Sequence, residues 1–104
     1  MNLSPDAPII ENERGGRQSD PGCRMQDAPL GFLRVGQVFA YGARKYQPGN
    51  WRKIAAEEHA NHAIIHLLAW LSGDRQDDHL GHAACRAIMA IETCEQKPAP
   101  PDAP

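Results

Sequence analysis

The sequence predicts an all-α fold: a small helical bundle built on an antiparallel helical hairpin and completed by oligomerisation. Three observations carry that expectation. Apolar residues recur at helical spacing in three segments. The breaks between those segments are rich in Gly, Pro and Asn. The ends of the chain lack apolar period altogether, which leaves about 75 to 80 residues to form a core, a marginal number for a monomer.

Residues 1–19 mix Pro, Asn, Glu, Gly and Arg and read as a flexible N-terminal arm, and residues 96–104 read as a disordered Pro-rich tail. The single domain lies between them, over residues 20–95. Within the arm, Gly15-Gly16-Arg17-Gln18-Ser19-Asp20 has two readings: a linker, or a loop that closes on a ligand through backbone N–H groups and Arg17.

The first helix is announced by Asp27 as N-cap and by Pro29 in the first turn, where the missing N–H costs nothing. Leu30, Leu33, Val38 and Phe39 supply apolar side chains as far as about Tyr46, and Gly31, Gly36 and Gly42 suggest close helix–helix approach. Gln47-Pro48-Gly49-Asn50 is a turn by composition.

The second helix is expected over Ala56–Ser72, with Glu57 and Glu58 at its positive end and Gly73 as C-cap. Ala60, Ile64, Leu67 and Leu71 form one apolar stripe, and His59, His62 and His66 form a second along its border. The third helix is expected over Asp78–Glu95 after Asp77 as N-cap, with Leu80, Ala84, Ala87, Ile88 and Ile91 on one face. Gly73–Gln76 is a short link, so the two helices should fold back antiparallel.

A net charge of −2 argues against coating polymeric nucleic acid. No apolar run reaches the length of about 20 residues needed to span a bilayer, and the first ten residues lack a secretory pattern, so a cytosolic protein is expected. Cys23, Cys85 and Cys94 are odd in number and lack a C-x-x-C pair, which disfavours disulfides and a thiolate zinc site.

Two constellations remain for chemistry. Glu58 with His62, and Asp78 with His82, are carboxylate–imidazole pairs at i, i+4, on one face and one turn apart, so each pair can share a divalent cation. The alternative is a capping acid with a histidine bonded to it. His66 is a ligand, a phosphate donor or a core histidine; His79 either flanks such a site or diverges from it. Around the turn, Lys45, Tyr46, Asn50, Trp51 and Arg52 bring cations, aromatics and an amide together, a chemistry suited to phosphates and a stacked base. Against this stands a solvated helix end with Trp51 and Tyr46 plugging the core.

The strings GARKYQPGNWRKI, EEHANHAIIHLLAWLSGD and DDHLGHAACRAIMAIE resemble the small phage dATP/dGTP diphosphohydrolase-like domain, a relative of MazG-type all-α nucleoside triphosphate pyrophosphatases. The resemblance implies Mg²⁺- or Mn²⁺-dependent hydrolysis of a purine deoxynucleoside triphosphate to monophosphate and pyrophosphate, in the cytosol of a phage-infected bacterial host. Taken with the carboxylate–imidazole pairs, the leading expectation is an ion held by Glu58, His62, Asp78 and His82, with Glu57 as an alternative for orienting the attacking water. Lys45, Arg52 and Arg86 would neutralise phosphates, and Tyr46, Asn50 or Trp51 would face the base. The E-E-x-x-E and E-x-x-D patterns of MazG-type enzymes are altered here, to Glu57-Glu58-His59-Ala60-Asn61 and Asp78-His79-Leu80-Gly81. Imidazoles in place of carboxylates favour Mn²⁺ or another transition metal over Mg²⁺. The competing readings are a protein that sequesters a nucleotide, such as a cyclic nucleotide signal, and an interaction module whose histidines form an interhelical seam.

Overall fold

A computed structural model describes residues 9–19 and 24–95. The first eight residues of the predicted arm, Cys23 and the whole of the predicted tail, 96–104, lie outside the described residues.

The described part of the arm differs from the structureless expectation. Ile9–Glu11 (β1) pairs antiparallel with Arg17–Ser19 (β2), and Ile10 faces Gln18 in the register. The turn is built by Asn12, whose Oδ1 accepts the N–H groups of Arg14 and Gly16, and by Gly15 at φ +80°. This local amide chemistry, rather than apolar burial, is what the periodicity missed.

Helix α1 runs Pro29–Tyr46, with Pro29 in the first turn as expected. Asp27 does not cap it. The aspartate belongs to a single 3-10 turn, Met25–Asp27, and accepts from Arg24 Nε at 2.9 Å. Added Cβ atoms at Gly31, Gly36 and Gly42 would meet nothing within 4 Å, so these glycines mark no close approach. Arg44 and Lys45 complement the negative end of the helix.

A short 3-10 turn, Asn50–Lys53, follows Gly49, which adopts φ +78°. Helix α2 runs Ala56–Leu71. It ends in a Schellman motif: Gly73 at φ +101° donates its N–H to the Trp70 carbonyl, and Asp74 donates to the Ala69 carbonyl. Arg75 stacks on Trp70 at 4.2 Å and donates to the Trp70 carbonyl, satisfying the same helix end.

Helix α3 runs His79–Glu95. The N-cap is Asp78 rather than Asp77: its Oδ1 accepts from the Gly81 N–H at 3.1 Å, and its carbonyl accepts from His82. Arg34 of α1 lies 3.6 Å from the same carboxylate. Gly81 makes that approach feasible, because a Cβ there would overlap Asp78 and lie 3.1 Å from Arg34 Cγ.

Helices α2 and α3 pack along their lengths as the predicted antiparallel hairpin, and α1 leans on α3. The hairpin does not close through its apolar stripes. The seam is His59 and Ala63 against His79, Ala83 and Cys85, all buried, whereas Ile64, Leu67, Leu71 and Ile91 stay exposed. Small residues and imidazoles thus let the helices approach, and the bulk of the apolar surface faces outward. No helix among the described residues is long and apolar enough to cross a membrane.

Candidate functional site

A cavity of about 1080 Å³ opens between α1 and the hairpin. Its first wall comes from the end of α1 and the turn after it, with Tyr41, Lys45, Tyr46, Asn50 and Trp51; the second comes from α2 and α3, with Glu58, His62, His66, His82 and Arg86. Asp77 lines it as well. Residues as far apart in the chain as Tyr41 and Arg86 thus meet around one space.

Trp51 fixes the first wall. Its ring meets Phe39 edge-on at 5.8 Å, and the Arg52 guanidinium stacks on it at 4.3 Å. Arg52 is thereby drawn away from the cavity lining towards Glu92, 3.8 Å from its carboxylate. The Lys45 ammonium lies 5.1 Å and 5.8 Å from the ring centres of Tyr46 and Tyr41. The Tyr46 hydroxyl, followed by the charge tendency of both tyrosines, raises the lysine pKa, so the ammonium stays charged.

His59 ties the walls together and is fully enclosed. A carbonyl only accepts and a guanidinium only donates, so the tautomer is fixed. Nε2–H donates to the Trp51 carbonyl at 2.9 Å, and Nδ1 accepts from Arg86 Nη1 at 3.0 Å. The same bond aims Arg86 along the cavity. His59 carried no site role in the sequence reading; its distance from Arg86 in the chain hides the pairing.

Three of the other four histidines, His66, His79 and His82, form a ladder. His66 Nδ1 faces His79 Nδ1 at 2.9 Å, and the His66 ring stacks on His82 with centres 5.0 Å apart. His79 Nε2–H donates to Asp74 Oδ2 at 3.0 Å, and His82 Nε2 lies 3.5 Å from Asp77 Oδ1. Burial lowers the His66 pKa, and the neighbouring imidazoles of His82 and His79 lower it further. Asp74 is lowered by the Gln76 N–H and then by His79. Cys85 lines the cavity, but burial pushes its thiol up to about 11, so it is no nucleophile at neutral pH.

Four of the expected site residues stand outside this lining. Arg17 lies on β2, Arg52 on the far side of Trp51, and Glu57 in the outer groove with Ala60 and Ile91. Asp78 is engaged by Gly81 and Arg34. With His66 opposite His79, Asp78 stands level with about Leu67, nine residues along α2 from Glu58, or about 14 Å. One chain therefore does not gather Glu58, His62, Asp78 and His82 around a single ion. Among the described residues, the trio whose ligand atoms lie within 4.8 Å of one another is His66, Asp77 and His79. The adjacent acids Asp77 and Asp78 have exchanged the roles that the sequence suggested.

A family model described as dATP/dGTP diphosphohydrolase, N-terminal, matches residues 12–102. The chain belongs to this family. No curated protein and no solved structure matches it. In this diphosphohydrolase-family domain, the match spans all three helices and every residue that lines the cavity.

Proposed function

We propose that the cavity binds a purine deoxynucleoside triphosphate and that the domain hydrolyses it to monophosphate and pyrophosphate. One observation supports this reading above others: phosphate-type cations, Lys45 and Arg86, and stacking rings, Tyr46 and Trp51, share one cavity with the Glu58 carboxylate and the His62 imidazole.

The donor set fits a divalent ion of the manganese class better than magnesium, because the lining places the His62 imidazole beside the Glu58 carboxylate. Glu58 and His62 would hold that ion, with phosphate oxygens and water completing its shell. When bound, it supplies charge neutralisation and a more acidic water. Lys45 and Arg86 hold the phosphates, Tyr46 and Trp51 bracket the base, and Asn50 offers an amide to its edge. Glu58, rather than Glu57, orients the attacking water, since Glu57 faces the outer groove. In the cytosol of a phage-infected host this reaction would bias the deoxynucleotide pool.

The exposed stripes of α2 and α3 support a homo-oligomer, with a second copy covering Ile64, Leu71 and Ile91. The engagement of Asp78 in a helix cap supports a second reading, sequestration of a nucleotide without turnover.

The test is incubation with deoxynucleoside triphosphates and cyclic dinucleotides plus Mg²⁺ or Mn²⁺, with products separated by chromatography. Hydrolysis predicts monophosphate plus pyrophosphate, and a loss of about 100-fold or more in Glu58→Gln. Tight binding that survives EDTA, with the ligand recovered unchanged, assigns sequestration instead.

A further inference from the structure

The histidine ladder contains a feature that the hydrolysis reading does not use. Two ring nitrogens, His66 Nδ1 and His79 Nδ1, point at each other at 2.9 Å. Since His79 Nε2–H is committed to Asp74, its Nδ1 presents a lone pair in the neutral ring, and the one proton between the nitrogens sits on His66. A carboxylate gripping the outer nitrogen of a histidine is the arrangement that fixes the tautomer of metal-bound imidazoles. Asp77 joins the two rings: one of its carboxylate oxygens and one ring nitrogen from each of His66 and His79 all lie within 4.8 Å of one another. His82 Nε2 approaches Asp77 Oδ1 from the other side, at 3.5 Å.

We propose that His66, His79 and Asp77 form a binding centre for a zinc-class transition-metal dication, distinct from the ion that Glu58 and His62 would hold against phosphates. Two imidazoles and one carboxylate make a donor set of borderline softness, which selects zinc-class ions over magnesium and calcium. Metal–nitrogen bonds of about 2.1 Å at a tetrahedral angle separate the two nitrogens by about 3.4 Å, so the rings need to part by only a few tenths of an ångström. The ion takes the place of the proton between the rings, and His66 carries that proton on Nε2 instead. His66 and Asp77 line the cavity, which gives the ion an entry path and leaves its fourth position to water, to His82 or to a ligand in the cavity. Binding clamps α2 to α3 at the hairpin end, where His79 follows the short link.

The inference does not depend on the hydrolase reading, and its test does not use activity. The full chain, stripped with EDTA, is titrated with Zn²⁺ by calorimetry and with Co²⁺ by visible absorption. With no nucleotide present to complete the phosphate-side ion's shell, one tight equivalent per chain is expected, with the absorption of low-coordinate Co²⁺, and with Zn²⁺-induced shifts of the His66 and His79 ring nitrogens in ¹⁵N NMR. Asp77→Asn, a half-exposed change that leaves the seam intact, should abolish the Co²⁺ band, with circular dichroism verifying the helices. Asp74→Asn touches no donor atom and should weaken Zn²⁺ by about 10- to 100-fold. Glu58→Gln should leave Zn²⁺ affinity unchanged, which separates this centre from the proposed phosphate-side ion. Absence of stoichiometric Zn²⁺ binding, or binding that persists in both His79→Gln and Asp77→Asn, would overturn the assignment.

Discussion

The two faces of the α2–α3 hairpin invert the usual division of labour in a small helical protein. The inner seam, where the helices touch, is made of imidazoles, alanines and a thiol, while the outer face carries Ile64, Leu71 and Ile91 at exposures of 54%, 72% and 63%. A polar seam specifies one register, since each ring nitrogen must find its own partner. An apolar face is non-directional and gains from any complementary surface. The hairpin's internal geometry and the proposed association of its outer face thus rest on different chemistries.

The sharpest way to break the inner side is His59→Ala. It leaves a void in the seam and removes the partners of Arg86 and of the Trp51 carbonyl, so unfolding in urea should show a loss of about 3–5 kcal/mol. On the outer side, Leu67→Glu with Leu71→Glu should leave the helical content of the chain in place. Light scattering should then report a mass falling to that of one chain, 11.4 kDa; an unchanged mass would remove the outer face from the assembly.

Cys85 sharpens the comparison through pH. Its folded-state pKa is raised from 9.0 to about 11, so the contribution of the buried thiol is fully present below pH 9 and is lost as pH rises towards 11. Cys85→Ala should flatten this alkaline limb of the stability curve. At pH 8, iodoacetamide followed by peptide mass spectrometry should label the exposed Cys94 and spare Cys85. The smallest effect is expected at the cavity rim. Gln47 holds φ +115°, a conformation that L side chains rarely adopt, so Gln47→Gly should raise stability by about 1 kcal/mol and move the melting temperature upward.

The helices were readable because their ends are written locally. Pro29 opens α1, Gly73 closes α2, and both work through backbone geometry that needs no distant partner. The packing face was not readable. Periodicity identifies Ile64 and Leu71 as residues that shun water, but it does not say whether the covering surface comes from α3 or from another chain. Asp77 and Asp78 illustrate the same limit at closer range. They are consecutive acids before a helix, each chemically able to cap it, and the choice falls to Asp78 because Arg34 arrives from α1 to meet it. Glu58, His62, His66, His82, Lys45 and Trp51 line one cavity, and their shared direction is partly legible in the sequence, since i, i+4 spacing and the tight turn fix it locally. The pairing of His66 with His79, and of His59 with Arg86, depended on hairpin register and so escaped.

Gly81 gives the cavity an aperture set by a single absent methyl group. It is one of the places where α1 meets α3, Tyr41 against His82 being another, and from Arg34 the helix extends twelve residues to Tyr46, about 18 Å. A side chain at position 81 would have to displace the Asp78 carboxylate and the Arg34 side chain, so the seating of α1 on α3, and with it ligand fit at Lys45 and Tyr46, can be retuned without altering one residue that a ligand would touch.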